Sequence, residues 1–187
     1  MTAAGRRIAT YEDVLAAPDG LVAEVIFGVL HTHPRPAAPH AIAASRIGAD
    51  LGGPFDRGRG GPGGWVILDE PELHLAEDIV VPDLAGWRRE RIRPSDAAGA
   101  FITVVPNWVC EIVSPSTEAI DRSDKMDVYA REGVEHAWLV DPIDRTLEVY
   151  ALDHGRWVRL RVARANVAVR AEPFDAIELD LTSFWEL

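Results

Sequence analysis

From Trp65 onward the apolar residues of this chain recur at the two-residue period of β-strands, and one of those strands carries an acid in its middle. The stretch is "VCEIVSPST", residues 109 to 117, where Glu111 stands among Val109, Cys110, Ile112 and Val113 before the run breaks into Ser114, Pro115, Ser116 and Thr117. A carboxylate in such company loses water on folding and must be met by a cation or by hydrogen-bond donors. Any fold of this chain must therefore bring Glu111 a partner.

The elements around it can be laid out from periodicity and turn chemistry. "ATYEDVLAA" predicts a short helix capped by Thr10, with Glu12 and Asp13 in its first turn. "LVAEVIFGVLHTH" predicts two strands or a hairpin and holds a second acid, Glu24, among apolar residues. "PHAIAASRIGADL" has helical spacing with Pro39 near its first turn, and "GGPFDRGRGGPGG" reads as a flexible loop. That loop is no phosphate loop, because no lysine follows its glycines. "WVILDE", "ELHLAEDIVVPDLAGW" and "FITVVPNWVCEIV" read as strands. A helix in the second half of "SPSTEAIDRSDKMDVYAREG" stops at Gly133, and "HAWLVDP", "TLEVYAL" and "RWVRLRV" are three further strands. "LDLTSFWEL" predicts a short closing helix. No repeat or linker divides the chain, so the expectation is one domain over residues 1–187.

Composition narrows the function classes. The net charge is −11, and the acids outnumber the bases after residue 60, so the chain as a whole offers nucleic acid no broad attraction. A binder of phosphate here needs a local patch or a metal, and the arginine-rich "WRRERIRP", residues 87 to 94, is the one evident patch. Cys110 is the sole cysteine, no run approaches the roughly 18 apolar residues of a membrane span, and the start carries two arginines without an apolar stretch behind them. A cytoplasmic protein with no membrane association is expected.

Lys125 is the only lysine, every other basic side chain being arginine. An ammonium is a compact charge that a guanidinium fork does not replace everywhere. Its position three and four residues before Val128 and Tyr129 turns it toward the sheet. Asp83, at the end of "EDIVVPD", shares strand parity with Ile79 and Val81, and Glu111 shares it with Val109 and Val113. Two acids and a lysine brought together suit the holding of a divalent metal and the stabilisation of charge during attack on phosphorus.

"VPD" at 81 to 83, "CEIVSPST", "DRSDK" and "YAREGVEHAWLVDP" resemble the Uma-two-type family of restriction-endonuclease-like proteins, within the PD-(D/E)xK nuclease superfamily. The likeness extends to "EVIFGVL" and "PH" near the front, and its most specific block is 109 to 142. It implies an α/β fold of restriction-endonuclease type, a mixed central sheet flanked by helices. It also implies Asp83 and Glu111 as metal ligands with the backbone carbonyl of Ile112, Lys125 as the active-site lysine, and Glu24 and His40 as an added acid and a base or substrate contact. In E-x-K the lysine would stand at Val113; the Uma-two-type pattern moves it onto the following helix, here Lys125.

The function implied is a Mg2+- or Mn2+-dependent endonuclease acting on nucleic acid, DNA ahead of RNA, with a homodimer as the expected assembly. Plainer readings stand beside it: Glu111 in a structural ion pair with Lys125 or an arginine, Asp83 as a turn residue, His40 as a helix cap. Collectively they describe a non-catalytic binding or assembly module that keeps the fold. An arginine patch flanking the carboxylates would favour the nuclease, and one on the far side would count against it. A two-carboxylate glycosidase has little support, since the six tryptophans are scattered singly along strands, where core packing is their ordinary use.

Overall fold

The computed structural model describes residues 7–186. A short helix α1 (Tyr11–Leu15) leads into the antiparallel hairpin β1 (Leu21–Ile26) and β2 (Val29–Pro34), followed by the long helix α2 (Ala38–Leu51). Then come β3 (Trp65–Asp69), β4 (Leu73–Leu75), β5 (Asp78–Val80), β6 (Leu84–Arg88) and β7 (Trp108–Ile112). Two helices, α3 (Glu118–Arg122) and α4 (Asp124–Glu132), precede β8 (His136–Asp141), β9 (Thr146–Asp153) and β10 (Arg156–Arg164). The pair β11 (Ala168–Val169) and β12 (Leu179–Asp180) and a closing helix α5 (Thr182–Trp185) complete the chain.

Six strands form the larger sheet in the order β10-β9-β8-β7-β6-β3, mixed because β7 and β8 run parallel while the other pairs are antiparallel. The parallel pair needs a crossover, and α3 with α4 supplies it. A smaller antiparallel sheet has the order β2-β1-β5-β4. The mixed α/β sheet flanked by helices is the architecture expected from the sequence.

Alternation along the strands builds two cores. On one face Trp108, Cys110, Ile112, Trp138 and Val140 pack with Ala43, Ile47 and Leu51 of α2 and with Phe174 and Phe184 of the C-terminal segment. On the other, Val109, Ala137 and Leu139 meet Met126, Val128 and Tyr129 of α4 and Ile26, Leu73 and Val80 of the smaller sheet. Trp65, Trp87, Trp108 and Trp138 are fully buried, as their strand positions implied. Gly86 is required between them, since a Cβ there would stand 3.1 Å from the Trp108 ring and 3.3 Å from that of Trp65.

Two local expectations are corrected and a third is extended. The glycine-rich loop begins as a π-helical turn, Gly52–Asp56, because Phe55 is pulled into the core with its ring centroid 4.7 Å from that of Phe174. "ELHLAEDIVVPDLAGW" is three strands in two sheets, so Asp83 falls in the passage from β5 to β6 and owes its direction to that break instead of strand parity. The helix expected in the second half of the "SPST" stretch is α4, ended by Gly133 with a left-handed φ of 81° as predicted, and the unforeseen α3 precedes it, parted from it at Ser123 with φ and ψ of −121° and −82°. Among the described residues no helix is long and apolar enough to cross a membrane.

Candidate active site

The site lies where the two sheets separate. β7 delivers Glu111 on the face toward α4, level with Leu139 of β8. The "SPST" segment then turns the chain out of the sheet: the Ser114 carbonyl accepts from Glu118 N–H at 2.8 Å, and its hydroxyl meets those of Ser116 and Thr117 at 2.9 and 3.0 Å. These hydroxyls serve one another and start α3. The turn brings α4 back across the sheet with Lys125 inward.

Lys125 is 2% exposed, and its ammonium is a hub. Nζ donates to Glu111 Oε2 at 2.9 Å and to the Val81 carbonyl at 3.2 Å, and it lies 3.1 Å from Glu24 Oε1 and 3.7 Å from Asp121 Oδ1. Desolvation alone would depress this lysine, yet the carboxylates around it, Glu111 and Glu24 foremost, hold it well above the usual range, so it is charged. Glu24 accepts from Val81 N–H at 2.7 Å and pairs with His33 Nε2 at 3.3 Å. Burial works against its charge, but Lys125 and these donors win and bring its carboxyl down to about 2. The same bond to Glu24 raises His33.

Glu111 is also held at its other oxygen, where the Tyr129 hydroxyl donates to Oε1. Its complete burial nevertheless pushes its carboxyl well above the ordinary range, against the pull of Lys125 and with Asp121, Asp83 and Glu24 adding to the rise. Asp83 is reached by the Ile112 N–H, which donates to Oδ2 at 2.6 Å, and by His40 Nε2, 3.0 Å from Oδ1. Of the residues chosen from sequence, Glu24, Glu111 and Lys125 therefore form one connected cluster, while Asp83, His40 and Ile112 form a second around the same cleft. Asp121, Tyr129 and His33 complete the set and were not singled out. The spacing of Asp121 and Tyr129 four residues either side of Lys125 was the available signal.

The cleft measures about 270 Å³ and is walled by the β2 to α2 connection, by the 114 to 117 turn and by Val81, Asp83, Glu111 and Lys125. Glu24, Glu111 and Asp121 surround Lys125, and Asp83 stands on the same cleft paired with His40. Among the described residues no group of three or more His, Cys, Asp or Glu side chains is gathered as a metal cage. Magnesium and manganese do not need one, since one or two carboxylates suffice when water and phosphate fill the remaining positions. The oxygen donors of Asp83, Glu111 and the Ile112 carbonyl are chemically suited to such a cation.

The arginine patch lies elsewhere. β6 runs from Asp83 at the cleft to Arg88 at the opposite end of the sheet, where the Arg88 N–H donates to Asn107 Oδ1. There Arg89 pairs with Asp56, Arg91 with Glu135 and Arg93 with Asp96, and Arg88 lies over the Trp65 ring. The patch is a set of local ion pairs on the far side from the carboxylates, the placement that counts against the nuclease and toward the binding module. The basic groups at the cleft are Lys125, Arg35, His33 and His40.

Comparison with known proteins accords with this geometry. A crystal structure from Anabaena variabilis, described as "a putative nuclease belonging to DUF820", superposes with a TM-score of 0.76 at 19% identity, covering 95% of this chain and 97% of its own. That likeness establishes the fold. No curated protein matches the sequence. The family model Uma2, described as "Putative restriction endonuclease", matches residues 8–182, which take in both sheets and every side chain of the cleft. The chain belongs to the Uma2 family.

Proposed function

We propose that the protein is a divalent-metal-dependent endonuclease hydrolysing phosphodiester bonds of nucleic acid, with DNA ahead of RNA. The observation that carries this reading is that two carboxylates, Asp83 and Glu111, line one cleft together with Ile112 and the buried Lys125 ammonium.

In this reading Asp83, Glu111 and the Ile112 carbonyl would hold Mg2+ or Mn2+, and such a cation would supply an activated water and neutralise charge on phosphate oxygens. The chain's own groups act around it. Tyr129 and Lys125 fix Glu111 from both oxygens, and Glu24 anchors Lys125 from the opposite side, so the ammonium is aimed with little freedom. Lys125 stabilises developing negative charge at the phosphate. His40 holds Asp83 and is the group at the cleft able to relay a proton to or from the substrate. A cytoplasmic homodimer of one domain is the proposed assembly; the apolar Val158, Leu160 and Val162, exposed on the outer strand β10, are its supporting surface.

The test is hydrolysis of single- and double-stranded DNA and RNA by purified protein with Mn2+ or Mg2+, beside a chelator control and Asp83→Asn. Asp83 is the right position because it lies at the cleft mouth; Lys125→Met would also strip the core of its cation. Cleavage that needs metal and Asp83 supports the nuclease. Silence on every substrate favours the binding module instead.

A further inference from the structure

The cleft does not close behind Asp83. Pro36, His40, Glu70 and Asp83 are shared with a second cavity of about 420 Å³, so the two make one trough that passes over α2. Its floor is the outer side of that helix, where Ala41, Ala44, Ser45 and Gly48 leave room that larger side chains would fill. Asp69 stands close over this floor: a Cβ on Gly48 would lie 3.1 Å from Asp69 Oδ1.

Cations stand at both ends. Arg35 lines the cleft and Arg57 lines the far trough. Both are exposed, and among the described residues neither has a carboxylate partner, unlike Arg89, Arg91 and Arg93. A duplex binder commonly neutralises about six to ten phosphates. This trough offers two free guanidinium groups. Asp69 and Glu70 line it as well, and carboxylates there repel phosphate but accept hydrogen bonds from the exocyclic amino groups of bases, whose pairing edges are open in a single strand.

We infer that the trough is the track for one unpaired nucleic-acid strand, lying over α2 with Arg35 and Arg57 on phosphates to either side of the one at Asp83. This rests on the nuclease reading for the identity of the cleft, while the track itself can be tested without turnover. The strand's phosphodiester backbone is the recognised chemistry, and DNA and RNA arms of the experiment separate its sources.

The experiment is fluorescence anisotropy with labelled single strands of about a dozen nucleotides, as DNA and as RNA, and the matching duplexes, with Ca2+ in place of Mn2+. Wild type, Arg57→Glu and Arg91→Glu are compared across a salt series, the two variants having the same change of charge. The expected result is preference for the single strand and a log-log salt slope of about −1.4 for two phosphates. Arg57→Glu should lose about tenfold in affinity and flatten the slope, with Arg91→Glu unchanged. Equal binding by wild type and Arg57→Glu, a preference for duplex with a slope steeper than about −4, or no binding of any strand would each overturn the track. Hydrolysis with Mn2+ separates the two claims. Strand binding through Arg57 without cleavage refutes the nuclease and leaves the track, and cleavage indifferent to Arg57 does the reverse.

Discussion

The two ends of the six-stranded sheet handle charge in opposite ways. At the Arg88 end, Arg89, Arg91 and Arg93 each meet one acid on the surface, and beneath them Trp65, Trp108, Trp138 and Phe174 fill a dry core. At the Asp83 end the acids Glu24, Glu111 and Asp121 are buried, and Lys125 is their shared cation. Exposed pairs cost little and contribute little. Buried ionisable groups cost stability unless they are well paired, and clusters of them are common at functional sites. In the proposed reading the first end is architecture and the second is the site.

The sharpest separation is expected in activity. Asp83→Asn should lower hydrolysis by about a thousandfold or more, on the order of 4 kcal/mol in the barrier, while thermal melting stays within a few degrees of wild type. Melting and rate measured on the same preparation check this; a variant that melts early and cuts normally would reverse the assignment.

Next in size are two stability effects, one at each end. Phe174→Ala should cost about 3 to 5 kcal/mol by opening a cavity among the tryptophans. Lys125→Met should cost about 3 to 5 kcal/mol because Glu24 and Glu111 lose their cation in a buried setting. Denaturant melts measure both. Added Mn2+ should recover part of the loss in Lys125→Met and none in Phe174→Ala.

These pairs show what was readable beforehand. Glu111 in "VCEIVSPST", the lone Lys125 and its inward helical spacing identify the cluster, because a buried acid and a unique lysine leave local marks in a sequence. The strands from β7 to β10 and the Gly133 stop follow from period and turn residues in the same way. Asp83 was found by motif, but its direction depends on the chain crossing between sheets, a tertiary event without local periodicity. Likewise the role of "WRRERIRP" could not be read locally. Its acids, Asp56 and Glu135, come from distant segments, and only folding shows that Arg89 and Arg91 are already paired.

An acid titration sharpens the comparison further. The Glu24 carboxyl is held at about 2, below its ordinary 4.5, so its contribution is complete above pH 4.5 and is lost as pH falls toward 2. The amount is on the order of 3 kcal/mol. Stability of wild type and Glu24→Gln measured across that window should converge at the acid end, and parallel curves would remove Glu24 from the network. Smallest of all, Arg91→Ala at the opposite end should change stability by no more than about 0.5 kcal/mol and leave hydrolysis untouched.

The most direct measurement is Mn2+ binding by titration calorimetry with wild type, Asp83→Asn and Arg91→Ala, each verified as folded by circular dichroism. The account predicts saturable Mn2+ binding by wild type and Arg91→Ala, weakened by an order of magnitude or more in Asp83→Asn. Binding of equal strength in all three, or in none, would contradict the assignment of the Asp83 end as a metal-dependent active site.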